Sequence, residues 1–184
     1  MSRVAAVKQA LAAASPMAML EREHAGKGFL LDVTLAPEQV VEAVAVLDRE
    51  GFFIEAVTGV DWLGEQAALR KEAVAAAAAR AKAAAAAGEE APVAEPLPEA
   101  GPEEMEVVYD FNHYEGFCRV VLRARLLRDN PEVPSISSIY PGADWHERET
   151  HDFFGIRFVG HPCLAPLLLP EDADFHPLLK DYRP

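Results

Sequence analysis

The chain has 184 residues and a formal net charge of −13, with 51% hydrophobic residues, so it is long enough to bury the core of about one domain. Such acidity argues against nucleic acid and against a polybasic membrane contact, and no apolar run reaches the roughly 18 residues that span a bilayer. The two cysteines, Cys118 and Cys163, are too few for the usual four ligands of an iron–sulfur cluster or a structural zinc and read as reduced thiols.

In chain order, Val4 to Ala14 is Ala-rich and predicts a helix ending near Ser15-Pro16. Phe29, Leu31, Val33 and Leu35 alternate as a strand. Pro37 stands where a helix begins, Val40, Val41, Val44 and Leu47 form its apolar face, and Gly51 is its stop. Phe52 to Val60 reads as a second strand, closing a strand–helix–strand unit. From Gly64 to Pro102 the composition changes. An Ala-rich half with high helix propensity has little to bury, and Gly88 to Pro102 is Pro- and Glu-rich, as in a flexible linker. The helix is either a protruding solvated element or a docking arm. Glu106 to Phe111 and Phe117 to Leu126 are two more strands, joined as a hairpin around Glu115-Gly116. Alternation in the latter puts Val120, Leu122, Ala124 and Leu126 in the core. It leaves Arg119, Arg123 and Arg125 on the other face, as a solvated surface or a partner-facing basic strip.

The densest block runs from Glu147 to Pro162, E-R-E-T-H-D-F-F-G-I-R-F-V-G-H-P. Asp144 followed by Glu147 suggests a capping-box start for a helix that runs to about Phe154 and stops at Gly155. Arg148 and Asp152 then share a face, as do Glu147 and His151, while Glu149 and Asp152 can receive one arginine. Exposed pairs of this kind add only about 0.5 kcal/mol each, so a semi-buried network locking the helix to neighbouring chain accounts better for the block. Glu147, His151 and His161 offer a carboxylate and two imidazoles, but not at the spacing of a metal-binding helix. Glu147 or Glu149 as general acid or base lacks a nucleophile motif, and no glycine-rich phosphate loop stands ready for a dinucleotide. After Pro162, Leu164, Leu167, Leu168 and Leu169 alternate with prolines in a tail that either crosses a partner or folds back on its own domain.

This block, with Pro170-Glu171-Asp172 and His176-Pro177-Leu178-Leu179-Lys180-Asp181-Tyr182 after it, resembles the signature of the 30-kDa subunit family of proton-pumping NADH:quinone oxidoreductase, respiratory complex I. Thr58-Gly59-Val60-Asp61-Trp62 looks like another block of that family. The resemblance implies an oxidoreductase subunit with no catalytic, cofactor or metal residue of its own, FMN and iron–sulfur clusters being held by partner subunits. It implies peripheral membrane placement on the cytoplasmic side of the inner membrane. The expected partners are the iron–sulfur subunits and the large subunit of the quinone site, across which the tail lies. Its signature and assembly residues here are Glu147, Arg148, Glu149, Asp152, Gly155, Gly160, His161, Pro162, Glu171, Asp172, His176, Pro177, Lys180, Asp181 and Tyr182. Ala165-Pro166, Phe175 and Leu179 depart from the family pattern, which keeps a related energy-converting nickel–iron hydrogenase as an alternative. A free-standing metal-dependent hydrolase is an alternative of another class.

The expected architecture is α+β: a mixed sheet of about four strands with packed helices, a signature helix and an extended C-terminal tail. Residues 1–63 form the strand–helix–strand half of the domain, and 64–104 the helical insertion and linker. The hairpin and signature helix of the same domain fall in 105–160, and the partner-binding tail in 161–184.

Overall fold

The structure, a computed structural model, describes residues 3–87 and 102–183. It divides into two compact units, Met1–Asp61 with Glu104–Pro184, and Trp62–Glu103. The larger unit holds α1 (Arg3–Leu11), β1 (Ala18–Glu21), a short α2 (His24–Lys27), β2 (Leu31–Leu35), α3 (Val40–Arg49) and β3 (Phe53–Asp61). It continues with β4 (Glu104–His113), β5 (Cys118–Leu127), β6 (Glu132–Pro134), α5 (Ala143–Phe154) and β7 (Arg157–Val159). In the smaller unit α4 (Glu65–Ala87) carries exposed Leu69 and Val74. The linker expected at Gly88 to Pro102 lies almost wholly outside the described residues. No helix among the described residues is long and apolar enough to cross a membrane.

The architecture is α+β with a mixed sheet, as expected, and the sheet has five strands where about four were expected, in the order β1-β2-β5-β4-β3. β2 pairs parallel with β5, and the other contacts are antiparallel. β2 and β3, either side of α3, are therefore not neighbours; the β4–β5 hairpin lies between them. The fifth strand, β1, went unpredicted because three of its four residues are exposed, so no apolar alternation marks it. The short parallel pair β6–β7 is too brief to leave a periodic signal.

One face carries the core. Leu31, Val33 and Leu35 of β2 stand in register with Val120, Leu122 and Ala124 of β5, which align in turn with Phe111, Tyr109 and Val107 of β4. Val7 and Leu11 of α1 and Val40, Ala43, Val44 and Leu47 of α3 pack into the same cluster. α5 joins at β3, where Thr150 Oγ1 donates to the Val57 carbonyl at 3.3 Å. Close approach there requires Gly59: an added Cβ would lie 2.6 Å from the Phe154 ring and 3.2 Å from Ile156.

The opposite face corrects the basic-strip reading. Arg123 reaches Asp32 at 2.9 Å and Glu106 at 3.4 Å, and Arg125 reaches Glu104 at 3.3 Å and Glu106 at 3.4 Å. Arg119 pairs with Glu55, with Asp110 at 3.9 Å. The arginines alternate with acids across strands, so the face is an ion-pair lattice with no surplus of positive charge. Val108 and Val121 lie buried within it.

Gly59→Ala should overpack the α5–β3 contact and lower stability by about 1–3 kcal/mol. Urea unfolding of the variant beside the parent chain measures this, and an unchanged midpoint would contradict the packing described.

Candidate functional site

α5 starts after Gly142, whose backbone is the N-cap without a side-chain bond, and ends at Gly155 (φ 72°), whose N–H bonds to the His151 carbonyl. The C-terminal stop is as the sequence indicated. The capping box is not: Asp144 already lies inside the helix, and Glu147 turns inward instead of back to the cap. Glu147 is fully buried; its Oε2 accepts from Ser135 Oγ at 2.6 Å and its Oε1 from the Ile136 N–H at 2.7 Å. These bonds fix the turn between β6 and α5.

The tail folds back as a strap along α5. At the helix start His161 Nε2 lies 3.3 Å from the Asp144 carbonyl. Arg148 does not meet Asp152; its Nε and Nη2 donate to the carbonyls of Ala165 and Pro166, both at 3.0 Å, while Trp145 lies beneath the guanidinium. Asp152 Oδ2 accepts the consecutive N–H groups of Leu167, Leu168 and Leu169 at 2.8, 2.7 and 3.2 Å. Burial alone raises the Asp152 carboxyl, but these N–H groups, helped by His151, outweigh it and hold the group below the ordinary aspartate range. His176 Nδ1 donates to the Asp152 carbonyl at 2.8 Å, and its ring fills the space a Cβ on Gly155 would need, 2.7 Å away.

A second anchor holds the strap's end. Buried Asp61, at the end of β3, accepts from Arg128 Nε and Nη2 at 3.0 and 3.1 Å and from the Lys180 N–H at 2.9 Å. Arg128 Nη2 also reaches Asp181 at 2.6 Å. Hydrogen bonding to Asp61 raises the Arg128 pKa above its already high ordinary value.

Of the residues singled out in the sequence, Glu147, Arg148, Asp152, Gly155, His161, His176, Lys180 and Asp181 meet in this helix–strap assembly. Tyr182 stacks on Phe175 with ring centres 5.6 Å apart, and Pro177 is half-buried. Glu149, Gly160, Pro162, Glu171 and Asp172 are exposed. His151 turns its Nδ1 to the Ile156 carbonyl at 2.9 Å and its ring towards His176, so the triad with Glu147 and His161 is not assembled. Among the described residues no group of three or more His, Cys, Asp or Glu is placed to hold a metal ion. Sequence reasoning missed Arg128 and Ser135, and it named Asp61 only as part of a block. Asp61 was the recoverable one, a charged residue closing an apolar strand.

The chain matches the family described as "Respiratory-chain NADH dehydrogenase, 30 Kd subunit" over residues 33–184. It is 35% identical over 182 residues to the C-subunit of an NADH-quinone oxidoreductase from Roseiflexus sp., covering 96% of this chain and 82% of that protein. It is 47% identical over 82 residues to the C-subunit of an F(420)H(2) dehydrogenase from Methanosarcina mazei, covering 44% of this chain and 52% of that one. Among solved structures, a trypsin-resistant fragment of Nqo5 superposes with a TM-score of 0.56 at 24% identity, covering 88% of this chain and 98% of that one. A chain of a membrane-bound sulfane sulfur reductase, an archaeal respiratory membrane complex, gives 0.64 at 21%, covering 96% and 83%. At these identities the structures establish a shared fold.

Arg128→Ala removes two charged donors from the buried Asp61 carboxylate and should cost about 3 kcal/mol by chemical denaturation, with the strap's end cut first in limited proteolysis. Asp152 gives an acid limb. Its depressed carboxyl contributes stability that is complete above the ordinary aspartate range and is lost as pH falls through its folded value. Asp152→Asn should lower stability by about 1–3 kcal/mol at neutral pH and flatten that limb in a series of melting curves.

Proposed function

The chain belongs to the 30-kDa subunit family of the respiratory-chain NADH dehydrogenases, and on that footing we propose that it is a cofactor-free bracing subunit. Its place is the peripheral arm of a proton-translocating NADH:quinone oxidoreductase. Electrons pass from NADH through FMN and iron–sulfur clusters in other subunits to quinone, and this chain holds the subunits around the quinone module in register. It meets the membrane through those partners, on the cytoplasmic side.

The observation that carries this reading is how the signature's polar groups are used. Glu147, Arg148 and Asp152 are bonded to the chain's own turn and strap, which leaves Leu168, Phe175 and Leu178 of the strap exposed on the surface. Carboxylates engaged this way act in shaping a surface rather than in turning over a substrate. An exposed apolar strap on a rigid helix suits a permanent contact with a large partner subunit.

Arg148→Ala should reduce the amount of assembled complex in membranes several-fold, while quinone reductase turnover per assembled complex changes far less. Full assembly with abolished turnover would place Arg148 in the chemistry and overturn the bracing role. Purification from native membranes through this chain should bring down a flavin-binding NADH subunit. A nickel–iron large subunit in its place would assign the chain to a hydrogenase.

A further inference from the structure

We infer that the outer face of the strap docks in an apolar groove rimmed by lysine or arginine side chains on a partner subunit, with Glu171, Asp172 and Asp174 meeting that rim. The inference rests on the bracing role and adds to it the chemistry of the surface being braced.

Between Pro162 and Leu179 the strap carries three acids and no lysine or arginine. Glu171 and Asp172 stand on a turn in which the Ala173 N–H bonds to the Pro170 carbonyl at 3.0 Å, and Asp174 follows it. All three are exposed, and among the described residues none makes an ion pair or a side-chain hydrogen bond. The strap's remaining acid differs, since Asp181 is drawn to Arg128. Leu168 precedes the turn, Phe175 and Leu178 follow it, and these too are exposed. Large apolar side chains therefore flank unpaired charge of a single sign, a pattern that marks a contact surface.

The backbone beneath this face is fixed before any partner arrives. Ahead of the turn, the N–H groups of Leu167, Leu168 and Leu169 converge on Asp152. Beyond it, His176 Nδ1 donates to the Asp152 carbonyl and the Leu178 N–H bonds to the Phe153 carbonyl at 3.0 Å. Phe175 is steadied by its stack on Tyr182. Docking a face held in this way has little ordering to offset.

The sign of the charge selects the occupant. A second copy of this chain would bring the same acids on its own strap and a net charge of −13. Anionic lipid headgroups and nucleic acid would also meet the turn with like charge. The leucines and the phenylalanine call for a protein groove that takes them out of water. The carboxylates beside them then call for cations at its border, because an acid desolvated without a partner opposes binding. Charges so placed chiefly set the choice and orientation of the partner.

The test measures incorporation of the full chain into the assembled complex of native membranes, resolved on native gels. Glu171→Gln with Asp172→Asn and Asp174→Asn neutralises the turn; Glu171→Lys with Asp172→Lys and Asp174→Lys reverses it. Incorporation should fall several-fold in the neutral form and further in the reversed one, and Leu168→Ser with Leu178→Ser should lower it as well. The neutral form of the isolated full chain should melt close to the parent, since no bond within the chain is lost. Equal incorporation of parent, neutral and reversed forms would overturn the inference. So would better incorporation of the reversed form, the mark of an acidic or lipid surface, or parent-like incorporation of the serine variant. A large drop in melting temperature of the neutral form would show the acids bonded within the chain and would overturn it too. Quinone reductase turnover per assembled complex reads the bracing role separately: equal incorporation with unchanged turnover strikes this inference and leaves that role standing.

Discussion

A carboxyl group removed from water must be given donors, and in a small domain they have to come from whatever chain lies nearest. Asp61, Glu147 and Asp152 are all buried here, and each accepts hydrogen bonds from outside its own element. Asp61 takes Arg128 and Lys180, Glu147 takes the turn before its helix, and Asp152 takes the strap. Residues 160–183, in which no helix or strand is described, are therefore held in place by two acids on ordered elements. The strap's path is set by where those acids lie, since consecutive N–H groups converge on one oxygen only in a narrow range of conformations.

The same logic separates what the sequence revealed from what it hid. Alternation in β2 and β5 marks strands because one side of each is apolar, and the glycines after α3 and α5 mark their ends. That charges around Arg148 and Asp152 were structural could also be argued, from the small gain exposed pairs offer. Their partners could not. Helical spacing pairs Arg148 with Asp152, but backbone carbonyls and N–H groups carry no side-chain signal and are the better partners for both. Ser135 escaped for a related reason: nothing about a serine in a turn announces the acid it bonds to.

The open sheet face shows another way of satisfying charge. α1, α3 and α5 pack on the core side, and on the other side arginines and acids from four strands form a lattice over Val108 and Val121. Each exposed pair contributes little by itself, but Glu106, shared by Arg123 and Arg125, couples neighbours into a network. Such a surface is hydrophilic without being strongly charged.

The strand order has a bearing on how the chain is made. β1, β2 and β3 emerge from synthesis first, yet β3 sits apart from the β1–β2 pair, with the space between them reserved for β5 and β4. Until Leu127 has been added, the N-terminal half has the β1–β2 pair, a β3 strand without its neighbour β4, and an apolar helix face with little to cover it. A nascent chain must therefore wait for a late hairpin to be inserted at the sheet's centre, and every residue placed between β3 and β4 prolongs that exposure. The smaller unit lies in that connection, where lengthening a loop adds only logarithmically to its closure cost but directly to the time the ribosome needs to finish it.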